Sequence, residues 1–185
     1  MEYERWTIMG ENGAATLTGE RADLLAALRK QRHFLRYTVR GLTDEQARRR
    51  TTVSELTLGG LIKHVAATEE GWQRFIVEGT SAMKNFADLT EEDFQRREEE
   101  FRLLPGETLQ DVLDRYEEVA ARTDALIMEL PDLDVAHPLP EAPWFPPGEE
   151  WSARRVLLHG IAEIAQHAGH ADIIREALDG QKTMG

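Results

Sequence analysis

The stretch that decides the fold of this chain is residues 152–180, SARRVLLHGIAEIAQHAGHADIIREALDG. Ser152 is a residue type that caps the N-termini of helices, and Gly180 is the type that most often follows a C-terminus. Between them, apolar residues recur at a spacing of three and four, which predicts one long amphipathic helix. The apolar positions of its central part are Ile161, Ile164, Ala165, Ala168, Ile173 and Ile174.

Four polar residues lie beside this apolar stripe. His159, Glu163, His167 and His170 are separated by four, four and three positions, which keeps them within a sector of roughly 80°. Buried imidazoles and carboxylates are unfavourable without partners, so something must satisfy them. The i, i+4 spacing of Glu163 and His167 lets two side chains converge on one metal ion, but ordinary ion pairs on a helix surface have the same spacing.

A third metal ligand would have to come from another helix. His64 stands between Leu61 and Val65 on the apolar face of the predicted second helix. Two facing helices would then supply three ligands and leave positions open for water or substrate. On this pattern alone, a histidine such as His64 is more often a hydrogen-bonded residue near the core than a metal ligand.

Four amphipathic segments predict an all-α protein, a four-helix bundle. The second and third helices are joined by a long connection, which favours a crossover over simple up-down-up-down winding. Short helices are predicted after Thr43 and Thr90, where the sequence has the form of a capping box. The long helices are predicted to begin near Thr18, Ser54, Thr108 and Ser152, and to end near Gly41, Gly79, Leu130 and Gly180.

The length of 185 residues predicts a single domain. We assign this domain to residues 18–180, preceded by an arm of residues 1–17 that Trp6 and Ile8 would anchor, and followed by a tail of residues 181–185. An acidic insert covers residues 81–106, and its glutamates at 98–100 are interpreted as a solvated face. A loop at 131–148 contains six prolines, too many for a helix or a central strand.

Composition excludes several classes of function. The 22 Lys and Arg residues against 34 Asp and Glu give a net charge of −12, which argues against duplex nucleic acid or an anionic membrane as the main partner. Because there is no cysteine, disulfides, thiolate metal ligands, iron–sulfur clusters and a cysteine nucleophile are excluded. No secretory signal or membrane-spanning stretch is recognisable, so we expect a soluble cytoplasmic protein.

Two stretches resemble the DinB/YfiT-like metal-binding superfamily. Residues 58–64, LGGLIKH, followed by Glu69 and Trp72, look like its second helix. Residues 152–180 are most similar to an uncharacterised branch close to the mycothiol-dependent maleylpyruvate isomerase metal-binding domain. The resemblance extends from Thr18 to Gly180, and it implies a DinB-like bundle that binds a divalent metal with one ligand from the second helix and two from the fourth.

The ligands that the resemblance implies are His64, Glu163 and His167. The common form of the superfamily has three histidines, and the isomerase branch resembles this chain in having a glutamate at the second position. His170 and His159 would then orient a ligand or move a proton. We expect zinc, with nickel, iron and manganese as alternatives, because two imidazoles and a carboxylate suit all four.

The resemblance also implies an enzyme of the S-transferase or isomerase type. A low-molecular-weight thiol, mycothiol or a similar one such as bacillithiol, would be activated at the metal. Arg154, Arg175 and Trp144 are the candidates for binding the thiol or a small-molecule substrate, with surface ion pairing and plain packing as the alternatives.

Two other functions fit the same residues. One is a metal-dependent hydrolase, and the other is a non-catalytic metal-binding or stress-related bundle. Superfamily members often pair through bundle faces, so the resemblance implies a homodimer, to which the aromatic residues within 81–104 would contribute.

Overall fold

The structure, a computed structural model, describes residues 17–183, so the predicted arm with Trp6 and Ile8 lies outside the described residues. Within this range most residues are helical, and the one sheet has only two short strands, which confirms the all-α prediction. The helices are α1 (Glu20–Tyr37), α2 (Asp44–Arg48), α3 (Leu58–Glu78), α4 (Glu91–Glu99), α5 (Leu109–Glu129) and α6 (Ala153–Asp179). Two 3₁₀ turns, Gly79–Ala82 and Phe86–Asp88, and two short strands, β1 (Ala136–Pro138) and β2 (Glu150–Ser152), complete the described part.

Side-chain caps determine where most of the helices begin. Thr43, Thr90 and Thr108 each accept a hydrogen bond from the backbone N–H three residues later, and the residue there returns one. These are the reciprocal bonds of a capping box. Ser152 caps α6 in the simpler way, and Gly180 follows the helix with a φ of 78°, a left-handed conformation that glycine adopts without strain.

The second long helix begins at Leu58, and the prediction that it begins at Ser54 is wrong. Thr57 is the N-cap and accepts a hydrogen bond from the Gly60 N–H, whereas Ser54 accepts one from the Leu56 N–H within a turn. Several hydroxyl residues compete for the capping role in this segment. The tertiary packing of the chain that precedes Leu58 decides which of them is used.

The long connection between α3 and α5 is a crossover, as predicted. Lys63, in the second turn of α3, pairs with Glu107 just before α5 at 2.8 Å, and Gln73, further along α3, donates to the Val119 carbonyl at 2.6 Å. The two neighbouring helices therefore run parallel. Residues 79–108 must return along the length of the bundle to connect them.

Helix α6 packs between α1 and α3. It runs parallel to α1, because Arg154 pairs with Glu20 at one end and Arg175 donates to the Thr38 carbonyl at the other. The contacts of the candidate site, described below, show that it runs antiparallel to α3. The adjacent, antiparallel faces of α3 and α6 thus position the site.

The Pro-rich loop contains a feature that its sequence does not indicate. Strands β1 and β2 pair antiparallel, with His137 opposite Trp151. Strands of three residues are too short to show alternation in the sequence, and their pairing places the buried Trp151 at the start of α6. Across residues 17–183, no helix is long and apolar enough to cross a membrane.

Candidate metal centre

Glu163 and His167 approach each other across one turn of α6. Nε2 of His167 lies 3.6 Å from Oε2 of Glu163, and Nε2 of His159 lies 3.7 Å from Oε1 of the same carboxylate. Two donor atoms bound to one tetrahedral zinc ion at ~2.0–2.2 Å stand about 3.3–3.5 Å apart. Glu163 and His167 therefore have nearly the separation that a shared cation requires.

His64 reaches this pair from α3. Its ring is buried, at 2% exposure, and its centroid lies 4.9 Å from that of His167 with the two rings nearly perpendicular, at 83°. The structure thus brings the three predicted ligands into one cluster. Within the described part of the chain, however, no three His, Asp or Glu side chains already stand in a metal-binding arrangement, so coordination would require side-chain adjustment and stays a prediction.

The chemistry of the cluster fits a divalent cation. Nδ1 of His167 and Nδ1 of His170 are buried without a hydrogen-bond partner, and among the described side chains only Oη of Tyr116 shares this condition. Leaving such an atom unsatisfied costs about 1–3 kcal/mol, but a cation between Nε2 of His167 and Glu163 would not pair Nδ1 of the same ring, so the fit to a cation rests on the donor types, two imidazoles and a carboxylate. Burial and then the neighbouring His64 lower the pKa of His167 to about 4, against the opposing effect of Glu163. The ring is therefore neutral at pH 7, which is the form that binds metals.

Aromatic side chains hold His159 beside Glu163. Trp72 and Trp151 stack with their ring centroids 5.1 Å apart, and the His159 ring packs edge-on against both, at 5.1 and 5.0 Å. Burial lowers the pKa of His159, although the Glu163 carboxylate opposes the shift. His159 is thus a fixed imidazole, favoured in its neutral form, next to a predicted metal ligand.

Trp144 lies at the outer end of the same aromatic cluster. It is 63% exposed and contacts Phe145, which in turn contacts Trp151 with centroids 5.7 Å apart. Two aromatic rings therefore separate Trp144 from His159. Its predicted role in ligand binding stays a prediction.

Arg154 and Arg175, which were predicted to bind the thiol or a small-molecule substrate, have partners outside the cluster. Each lies at least eight residues along α6 from the nearest predicted ligand, or about 12 Å of helix. The structure does not bring either guanidinium into the cluster. The partners are Glu20 and Asp134 for Arg154, and the Thr38 and Arg40 carbonyls with the Asp179 carboxylate for Arg175.

The acidic insert contributes two side chains that the sequence reasoning did not assign to the site. Oε2 of Glu100 lies 3.4 Å from Nδ1 of His64, and the Phe101 ring stacks on the His64 ring with centroids 4.0 Å apart. The Glu100 side chain is 27% exposed, so the interpretation of the acidic run as a solvated face is wrong for its last residue. The apolar residues that follow, Phe101, Leu103 and Leu104, were the available signal, since they predict that this segment packs against the bundle.

Comparisons with known proteins identify the family and the fold of this chain. Residues 23–180 match the family model described as mycothiol-S-transferase. A solved structure described as a conserved protein of a locus from Enterococcus faecalis is similar, with a TM-score of 0.64 and 13% identity over 89% of this chain and 100% of that one. At this identity the likeness shows the fold alone. A search of curated proteins gives no match. Because the family match spans nearly the whole bundle, from α1 to the end of α6, the chain belongs to the mycothiol-S-transferase family.

Proposed function

We propose that this protein is a metal-dependent S-transferase that joins a low-molecular-weight thiol of the mycothiol type to a small electrophile. Family membership supports the thiol and the transfer. The single observation that carries the proposal within this chain is the cluster of His64, Glu163 and His167 between α3 and α6, in which His64 is buried and the other two side chains are partly exposed.

The three clustered side chains would hold the metal. Zinc is our first choice, and nickel, iron or manganese would suit the same donors. When bound, a divalent cation supplies positive charge that lowers the pKa of a thiol or a water molecule beside it.

The surrounding residues would control the proton and the solvent. The cavity beside the cluster is lined mainly by apolar side chains from α1, α3 and α6, which would exclude water that competes with the thiol. Nε2 of His159 would take the proton that the thiol loses, because it is held next to Glu163. The sulfur would then form a bond to the electrophilic carbon, and the leaving group would depart with the bonding electron pair.

His170 would orient the bound thiol or substrate. Its ring centroid lies 5.5 Å from that of His167, and its buried Nδ1 has no partner within the protein. A polar ligand in the site would provide one.

Elemental analysis together with a thiol-transfer assay tests the proposal. We expect about one divalent cation per chain, and metal-dependent formation of an S-conjugate from mycothiol and an electrophile, detected by mass spectrometry. His167→Ala should reduce both the bound metal and the conjugate, because it removes one of three predicted ligands. His33→Ala, a matched change at an exposed residue of α1, should alter neither.

Different results would reject different parts of the proposal. Unchanged metal content in His167→Ala would reject the site. Metal-loaded protein that consumes no thiol with any electrophile in the panel would reject the transferase, and ester or amide hydrolysis without thiol would favour the hydrolase instead.

A further inference from the structure

Residues 100–103, which we call the strap, lie across the beginning of α3 in a notch formed by two glycines. A Cβ atom on Gly60 would overlap the carbonyl oxygen of Phe101, and a Cβ atom on Gly59 would lie 2.6 Å from Cδ1 of Leu103. Only glycine leaves room for such a close approach of the backbone. The notch therefore fixes where the strap lies on α3.

Two hydrogen bonds and one buried side chain hold the strap in this position. Thr57 donates from its hydroxyl to the Phe101 carbonyl at 3.5 Å, and Lys63 donates from Nζ to the Arg102 carbonyl at 3.4 Å. Leu103 is buried in the core. None of these contacts involves Glu100, so the strap has its own means of attachment.

The strap presents both a ring and a carboxylate to His64. Phe101 covers one face of the imidazole, at an interplanar angle of 24°. Oε2 of Glu100 lies 3.4 Å from Nδ1 of His64 and accepts a hydrogen bond from the Arg97 guanidinium at 2.8 Å, the pairing that an ionised carboxylate makes with arginine. An ionised carboxylate only accepts hydrogen bonds, so Nδ1 of His64 must carry the proton that joins it to Glu100.

The other ring nitrogen of His64, Nε2, is then unprotonated and has a lone pair available. Nε2 lies 3.5 Å from the Thr68 hydroxyl, which is able to donate to an unprotonated nitrogen. Thr68 lines the same cavity as Glu163 and His167. The unprotonated nitrogen of His64 therefore lies next to a residue that lines the cavity shared with the two other predicted ligands.

We propose that Glu100 is a positioning residue of the metal centre, which accepts the Nδ1–H of His64 and so keeps Nε2 free to bind the metal. Carboxylates that hydrogen-bond to the distal nitrogen of a ligating histidine fix its tautomer and its orientation, and removing them typically weakens metal binding 10–100-fold. The inference rests on the proposed function for the presence of the metal, but the Glu100–His64 hydrogen bond can be tested without it.

The first experiment measures the tautomer of His64 in the metal-free protein by ¹⁵N NMR of the imidazole nitrogens. Wild-type protein and Glu100→Gln, which keeps an acceptor oxygen, should show a protonated Nδ1 and an unprotonated Nε2. Glu100→Ala should lose this preference. Glu98→Ala, a change at an exposed glutamate in the last turn of α4, the helix that Glu100 follows, is the matched control and should resemble wild type. A proton on Nε2 in wild type, or an unchanged tautomer in Glu100→Ala, would overturn the proposal.

The second experiment measures the dissociation constant for zinc by competition with a chelating dye. We expect Glu100→Ala to bind zinc about 10–100-fold more weakly than wild type, Glu100→Gln to lie between the two, and Glu98→Ala to equal wild type. Equal affinity in Glu100→Ala and Glu98→Ala would overturn the proposal. If wild type binds none of zinc, nickel, iron and manganese, the proposed function fails, and the NMR result still decides the role of Glu100.

A backbone variant tests the strap independently of Glu100. Gly60→Ala should displace the strap and reproduce the tautomer change of Glu100→Ala, because the new methyl group would overlap the Phe101 carbonyl. Gly71→Ala, at a position of α3 with nothing within 4 Å of the new Cβ, is the control and should keep the wild-type tautomer. A wild-type tautomer in folded Gly60→Ala would contradict the positioning role of the strap.

Discussion

Two polar clusters between the helices of the bundle differ in how their groups are paired. In the first cluster every charged group has a partner of opposite charge. Arg32 of α1, 4% exposed, donates to Oε2 of Glu69 at 3.2 Å and to Oδ1 of Asp124 at 2.6 Å. Glu69 also accepts a hydrogen bond from Thr123. Burial opposes the charge of Arg32, but the two carboxylates outweigh it and raise the pKa of the guanidinium.

The second cluster is the candidate metal centre, and it is incompletely paired. His167 and His170 each keep a buried nitrogen without a partner. Among the described residues, the ion-pair partners of Glu163 are two histidines, at 3.6 and 3.7 Å, beyond ordinary hydrogen-bond length. Glu69 of the first cluster and Glu163 and His167 of the second line one cavity. The difference teaches that the Arg32 cluster is satisfied within the bundle, whereas the histidine cluster keeps hydrogen-bonding capacity that the described side chains do not use.

Disrupting the Arg32 cluster should cause the largest loss in the free energy of unfolding. Arg32→Met leaves the carboxylate of Glu69 buried without its cation, and removing one partner of a buried pair costs about 3–5 kcal/mol of unfolding free energy. Urea denaturation measures the loss. Glu117→Gln, which removes an exposed ion pair with Arg36, should cost under ~1 kcal/mol. Equal losses in the two variants would show that the Arg32 cluster is not a structural element.

Binding of zinc to the histidine cluster should cause the next largest change in the free energy of unfolding. Zinc at 100 times its dissociation constant should stabilise the metal-free protein by about 2.7 kcal/mol, because it binds only the folded state. Thermal denaturation with and without zinc measures the shift. Arg32→Met should keep the shift although its starting stability is lower, and His64→Ala should lose it. The same shift in His64→Ala would place the zinc elsewhere.

Lowering the pH should reduce the free energy of unfolding of the metal-free protein through protonation of His167, to a smaller extent. Its pKa is about 4 in the folded state and about 6.5 in an unfolded chain. Between these values the unfolded state binds more protons, so the free energy of unfolding falls as the pH is lowered from about 6.5 to about 4, by on the order of 1–3 kcal/mol. Urea denaturation across this range measures the slope. His167→Ala should show a shallower slope, and identical slopes would contradict the depressed pKa.

The parts of the fold that local sequence controls were predictable. The capping threonines 43, 90 and 108 and the closing Gly180 act on residues within one helical turn, so their signals lie within a few positions of one another. The start at Leu58 was missed because several hydroxyl residues offer caps there. Three-residue strands carry too little pattern to be seen at all.

The candidate site was predictable only in part. Helical spacing placed Glu163 and His167 on one face of α6, and the resemblance to the superfamily added His64. Glu100 and His64 are 36 positions apart, and Arg175 reaches a carbonyl 137 positions away. No periodicity connects such residues, since their proximity depends on the crossover and on the close approach that the glycines permit.

The predicted homodimer stays a prediction that gel filtration can test. Phe86 and Phe94 of the insert are partly exposed and contact each other edge-on, with centroids 6.3 Å apart. Elution of the purified protein at the volume of a single chain at micromolar concentration would contradict pairing.

The parallel arrangement of α3 and α5 has a consequence for the surroundings of His64. Because the two helices are parallel, the chain that leaves the C-terminal end of α3 must run back along the bundle to reach the N-terminal end of α5. Here that return path passes His64, so one segment both closes the bundle and contributes Glu100 and Phe101 to the surroundings of that imidazole. A substitution at Glu100 would then alter the surroundings of His64, while Leu103 and the two glycines keep the segment in its place.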